Sequence, residues 1–225
     1  MFVPAHYEGD AAAALAVVQA NPLATLTTSA DPVPYATHLP IVVPEDTEKA
    51  LRDGAQDLRG LRLVGHLNRA NPHWSRLASG PSAGLLIFRG PNGYISPEVY
   101  GYTPAAPTWN FVSVHVRGTI RPLAAGEETL GVIRRTVREL EGRFGRGWDM
   151  TSSLGYFDRI VPAVGAFEVH VEQVDGMFKL SQEQSEQARE RTTRHFAGSP
   201  DGTHRELAAW MERCPMSPLP DTEGR

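Results

Sequence analysis

Gly65-His66-Leu67-Asn68-Arg69-Ala70-Asn71-Pro72-His73-Trp74 follows directly on the apolar run Leu61 to Val64. A strand that ends in Gly-His and passes to a polar, helix-competent segment presents an imidazole at a strand C-terminus, where sites are often built. The stretch therefore predicts the rim of a cofactor pocket. Its plainer reading is a histidine that satisfies backbone groups at a strand-to-helix turn, and these ten residues alone leave the two level. Asn71 to Ala78 is expected as a short helix with Pro72 in its first turn.

Working outward, Asp10 caps a helix through Ala11 to Val18 that stops near Asn21-Pro22. Leu23 to Thr28 and Tyr35 to Val43 read as two strands of a hairpin about Ala30-Asp31-Pro32. Residues 44 to 60 are charged, carry Pro44, Gly54 and Gly60, and are expected as an exposed loop. Ala83 to Phe88 is a buried strand, Gly90-Pro91-Asn92-Gly93 a turn, and Pro104 to Asn110 a rigid connection. Val112, Val114 and Val116 alternate with Ser113, His115 and Arg117, the period of a half-buried strand over Phe111 to Leu123.

Glu127 to Phe144 is a long amphipathic helix with Leu130, Ile133, Val137 and Leu140 on one face and Gly145 just beyond its end. Ala166 to Val174 is the last strand, and Glu183 to Phe196 and His204 to Cys214 are helices. Short strands at irregular spacing with helices between them predict an α+β fold, a small β-barrel decorated by helices.

The 225 residues are 41% hydrophobic and 21% charged with a formal charge of −4, so the basic stripe of a polyanion binder is missing and nucleic acid is an unlikely partner. The one cysteine, Cys214, excludes a disulfide framework and a Cys-based zinc site. With no signal-peptide pattern and no apolar stretch near the roughly 20 residues that span a bilayer, the expectation is a cytoplasmic protein without a membrane partner.

Six motifs in order carry a family resemblance: Met1-Phe2-Val3-Pro4, His38-Leu39-Pro40, the Gly65 to Trp74 stretch, Gly90 to Pro97, Pro107-Thr108-Trp109-Asn110-Phe111 and Lys179-Leu180-Ser181-Gln182. Together they resemble the PaiB-like proteins, FMN-binding split barrels that form dimers and are often labelled transcriptional regulators. Within that group the chain is most similar to the haem-dependent piperazate synthases, which close N5-hydroxyornithine into piperazic acid. Gly65 to Trp74, Trp109 to Gly118, Phe144 to Met150 and Gly176 to Gln184 carry this narrower likeness.

The resemblance implies a split-barrel cofactor-binding domain over 1–180; the residues beyond it read as a C-terminal helical segment over 181–214 and a proline-rich, flexible tail over 215–225. It also implies haem b as cofactor, with FMN the alternative, and a homodimer acting on a small amino-acid substrate. A helix-turn-helix and a basic recognition helix are both missing, which speaks against the regulator label. Ring closure expels one water and exchanges no net electrons, so no nicotinamide partner is required, and the chain shows no Gly-rich dinucleotide fingerprint.

His66 is the expected axial ligand, from its strand-end position and from the resemblance. His38 reads as structural and His73 as a cap or surface residue, while His115 is open between the barrel and a dimer interface. Tyr94, Ser96 and Trp109 are expected at the cofactor, although Trp74 and Trp109 also suit a core. Arg69, Arg117 and Lys179 are candidates to pair with haem propionates or the substrate carboxylate, with Lys179, Arg69 and His115 nearest to catalysis. The commoner fate of any one such cation is a solvated surface position.

Overall fold

Alternation decides the first hairpin. In β1 (Leu23–Thr28) Ala24, Leu26 and Thr28 are buried and the residues between them are not. β2 (Tyr35–Val42) pairs with it antiparallel, from Leu23 opposite Pro40 to Thr28 opposite Tyr35. The computed structural model describes residues 1–214; the tail expected from Pro215 onward lies outside the described residues. The hairpin belongs to a closed six-stranded barrel in the order β1-β2-β3-β6-β5-β4, with β3 at Arg62–Asn68, β4 at Ser82–Ile95, β5 at Thr108–Pro122 and β6 at Val164–Lys179.

The chain falls into two contact units, one built from Met1–Val17, Arg89–Val114 and the chain from Asp175, the other from Val18–Phe88 and His115–Val174. The three long strands β4, β5 and β6 each run through both. In the second unit Leu26, Leu63, Leu86 and Phe167 are fully buried. Gly65 belongs to the same inward face, because a Cβ there would stand 2.6 Å from Ile41 Cδ1 and 2.9 Å from Phe167 Cζ. The other face of β3 carries Val64, which packs with Val42, Ala166, Leu123 and Val132. Val132 lies on α5 (Glu127–Phe144), whose apolar stripe also places Leu130 and Ile133 against Phe157 and Val161.

The first unit has its own core, in which Phe178, Phe196, Leu207 and Met211 are buried. Phe178 stacks tilted on Trp210 at 5.3 Å. Here α1 (Ala11–Ala20) begins, and Asp10 Oδ1 accepts the Ala13 N–H at 2.7 Å, the cap its sequence predicts. The C-terminal pair follows as α7 (Glu186–Ala197) and α8 (Gly202–Arg213), capped by Ser185 and Asp201.

Several expectations change. Residues 44 to 60 are not all loop: Glu45–Arg52 is α2, with three acids in its first turn and Lys49 and Arg52 in its last, the charge order that a helix dipole favours. Gly90 to Gly93 is not a turn but the middle of β4. The glycines allow close approach there: a Cβ on Gly90 would meet Val112 at 3.2 Å and one on Gly93 would meet Phe196 at 2.5 Å. β3 does not end at Gly-His either, since its register with β6 continues to Asn68 opposite Val164. His66 therefore stands within a strand. Two short helices, α4 (Pro97–Tyr100) and α6 (Leu154–Ile160), add to the predicted set, and α3 (Pro72–Leu77) falls where it was expected.

Candidate functional site

His66 lies opposite Ala166 in the β3–β6 ladder, on the face that Val64 shares. The residue keeps an edge open to solvent, while its ring Nδ1 is buried with no hydrogen-bond partner. Burial lowers its pKa from the ordinary 6.5. The ring is thus a neutral imidazole with a nitrogen that the chain does not satisfy, the state in which histidine binds a metal. Among the described residues no three His, Cys, Asp or Glu side chains gather into a metal site.

Arg69 follows one residue beyond β3. Its Nε donates to the Val164 carbonyl at 2.9 Å, and its guanidinium lies 5.3 Å from the centre of the Trp74 ring. Trp74 is a core residue, seated against Gly165, where a Cβ would come within 2.4 Å of the indole. His73 is not on the surface. It is fully buried, with Nε2 2.9 Å from Thr28 Oγ1 and Nδ1 2.9 Å from Thr37 Oγ1, and it stacks on Tyr35 at 5.3 Å. Both nitrogens are occupied, so His73 clamps the first hairpin to α3. The cap is Asn71, whose Oδ1 accepts the His73 N–H at 3.0 Å. His38 bonds across the hairpin to Thr25 Oγ1 at 2.9 Å.

His115 and Arg117 sit half-buried on β5. The Leu123 N–H bonds the Ala166 carbonyl at 2.9 Å, which fixes the end of β5 beside the residue opposite His66. His115 stands eight residues earlier in the chain, on the order of 25 Å of extended strand at ~3.3 Å per residue.

The remaining candidates belong to the first unit. Tyr94 and Trp109 are about half exposed and pack tilted at 5.9 Å. Trp109 is therefore not a core residue. Its Nε1 donates to Asn92 Oδ1 at 3.1 Å, which Arg89 also reaches at 3.2 Å. Ser96 is the N-cap of α4, with its Oγ accepting the Glu98 N–H at 3.4 Å. Lys179 Nζ donates to Thr108 Oγ1 at 2.6 Å and lies 5.9 Å from the centre of the Tyr7 ring.

Sequence reasoning passed over the residues around Lys179. Tyr7 has its hydroxyl pKa pushed above the ordinary tyrosine range, first by burial and then by the Glu183 carboxylate, and Tyr100 is pushed up to about 12 by the same two causes. It also passed over a chain of charges on the second unit, where Arg62 joins Asp46 at 2.6 Å and Glu168 at 2.5 Å, and His170 reaches Glu168 at 2.8 Å. Burial alone would raise Glu168, but Arg62 and His170 outweigh it and hold its carboxyl below the usual range. A groove of about 880 Å³ runs along this chain, over Val64, Leu123 and Val132. Four arginines, Arg62, Arg134, Arg135 and Arg138, face Glu45, Asp46, Glu128 and Glu168 across it, so it carries no net charge to select an anion.

Comparison with known proteins accounts for the barrel. Residues 1–173 match the family described as "Putative FMN-binding domain". The protease synthase and sporulation protein PAI 2 of Bacillus subtilis is 26% identical over 190 residues, covering 83% of this chain and 84% of its own length. The chain belongs to the PaiB-like FMN-binding family. Among solved structures, a conserved protein of Mycobacterium tuberculosis superposes with a TM-score of 0.53 at 12% identity, covering 80% of this chain and 91% of its own. A FAD and haem binding protein from Mycobacterium smegmatis superposes with a TM-score of 0.51 at 16% identity, covering 77% and 73%. At such identities the likeness is one of fold, and it makes this PaiB-like chain a split barrel of mixed α+β class. No helix among its described residues is long and apolar enough to cross a membrane.

Proposed function

We propose that the protein is a haem-dependent cyclase of the piperazate synthase kind, forming an N–N bond from N5-hydroxyornithine with loss of water. The observation that carries this reading is His66, a neutral imidazole with a buried nitrogen that nothing in the chain satisfies. A porphyrin is a group that would bring a metal's other ligands to a single imidazole such as this one. The FAD and haem binding protein of Mycobacterium smegmatis supports the capacity of this fold for such a ring. The narrower likeness of the sequence to piperazate synthases supplies the reaction.

Haem b, when bound, supplies a Lewis-acidic iron suited to the charge that develops as an N–O bond breaks. His66 contributes the ligating lone pair. Lys179, steadied on Thr108, offers a fixed ammonium to the substrate carboxylate or a proton to the departing oxygen. The α-amine must be neutral and within about 3 to 3.5 Å of N5 to attack. Loss of the hydroxyl as water and formation of N–N then balance with no reductant.

The functional unit in this reading is a homodimer with two equivalent sites. Half-exposed Tyr94, Trp109, Trp148 and Tyr156 and the more open Phe144 are apolar surface that a second copy would cover.

A second reading, FMN in place of haem, is favoured by the family description and by the exposed Tyr94–Trp109 pair, which offers a flat ring a stacking surface. It carries an oxidoreductase or flavin-sensing regulator with it. One experiment separates the two. The purified protein is scanned for a Soret or a flavin band, then mixed anaerobically with N5-hydroxyornithine. A Soret band and a product lighter by one water are expected; a flavin band, no such product and NAD(P)H-dependent flavin reduction would establish the second reading.

A further inference from the structure

The turn that follows β6 is held in a conformation that its sequence does not favour. Ser181 is fully buried with φ 62, the left-handed region that residues other than glycine seldom adopt. The Gln182 side chain pins it from both sides, with Oε1 accepting the Leu180 N–H at 2.6 Å and Nε2 donating to the Phe178 carbonyl at 2.5 Å. Asn110, also fully buried, donates from Nδ2 to Ser181 Oγ at 2.9 Å. The turn delivers Glu183 to Tyr7, whose hydroxyl bonds its carboxylate, and to Tyr100; burial first and this carboxylate second raise the pKa of both phenols.

Three side-chain atoms of this cluster are buried and have no hydrogen-bond partner: Glu183 Oε2, the Tyr100 hydroxyl and Asn110 Oδ1. The Tyr100 hydroxyl approaches Ser181 without the geometry of a hydrogen bond. A buried polar atom left without a partner forfeits its hydration, so three within one unit are a large standing cost unless something completes them. Two of the three are acceptors, one of them a carboxylate oxygen, and the phenol can serve in either role. The missing complement is a small group with several donors and a positive charge.

We propose that Glu183, Tyr100 and Asn110 form a binding site for a primary ammonium group, such as that of a free amino acid or diamine. Glu183 supplies the charge and the shortest contact, while Asn110 and Tyr100 take the other two N–H groups. Lys179 does not fill the place: its ammonium donates to Thr108 at 2.6 Å, and none of the three atoms receives a hydrogen bond from it. Partly exposed Tyr7 and exposed Tyr102 are the site's neighbours; Tyr102 stacks on Tyr100 at 5.7 Å and donates to Gln184 Oε1 at 2.5 Å. The site asks nothing of haem or flavin.

Isothermal titration of the protein as purified tests it, with L-ornithine, methylammonium chloride and potassium chloride as probes. L-Ornithine and methylammonium should compete for one site per chain, with potassium far weaker. Glu183→Gln, which keeps shape and removes charge, should weaken both amines about ten-fold or more, and Tyr100→Phe by a smaller factor. Unchanged amine affinity in Glu183→Gln, no heat from either amine at millimolar concentration, or potassium binding as tightly as methylammonium would each overturn the proposal. The first two results leave buried water as the occupant. Should Glu183→Gln fail to fold, Tyr100→Phe with wild-type affinity is enough to reject it. Because the readout is heat of binding, loss of the cyclase reading does not alter the outcome.

Discussion

Asn110 reaches Ser181 across 71 residues of sequence, its amide nitrogen 2.9 Å from the serine oxygen, and neither residue is exposed to water. The bond ties the start of β5 to the turn after β6, and so sets where Lys179 and Glu183 stand. Asn110→Ala removes it and leaves Ser181 with a buried oxygen to satisfy. A loss of about 1–3 kcal/mol in urea unfolding is expected. If stability is unchanged, the turn is held by Gln182 alone.

Two histidines of one ten-residue stretch should behave oppositely. His66→Ala is expected to lose the Soret band while unfolding close to the wild-type denaturant midpoint. His73→Ala should keep the band and lose about 2–4 kcal/mol, because it empties a packed site and strands Thr28 and Thr37. A Soret band that survives in His66→Ala moves the axial role to His115.

Stability should fall as the solution is acidified through the histidine range. Burial lowers the pKa of His66 and, with Arg76 adding to it, that of His73, both from 6.5. Between the native and ordinary values the unfolded chain binds protons that the folded rings refuse, so this stability is complete above about 6.5 and is lost as pH drops toward the native values. Asp46 and Glu168 are held below 3.8 and 4.5, so their contribution is lost only at lower pH. Urea midpoints at pH 7.5 and 5.5 measure the slope, and His66→Gln should flatten it. An unaltered slope in that variant assigns it to His73.

Lys179→Ala should slow turnover of N5-hydroxyornithine by ten-fold or more, on the order of 1.4 kcal/mol, with Lys179→Arg recovering part of it. L-Ornithine itself should be inert, since it has no oxygen to expel. Steady-state rates of water loss, read by mass, check both. Equal rates in Lys179→Ala would leave the ammonium only its contacts with Thr108 and the Tyr7 ring.

Local rules in the chain determined a good deal. The alternation of Val112, Val114 and Val116, the stripe of Leu130 and Ile133 along Glu127–Phe144, and the Asp10 cap each follow from a period or a single side chain, and each stands where the sequence places it. The motif order carried the family. Tertiary structure decided what depends on distant partners. Gly90 to Gly93 reads as a turn until Phe196 is brought against Gly93, and the pairing of Asn68 with Val164 carries β3 past His66. His73 looks like a surface residue until Thr28 and Thr37 close on both its nitrogens. Glu183, Tyr7 and Tyr100 lie far apart in sequence and gain their chemistry only from sharing one interior, where burial and charge act on groups that no spacing connects.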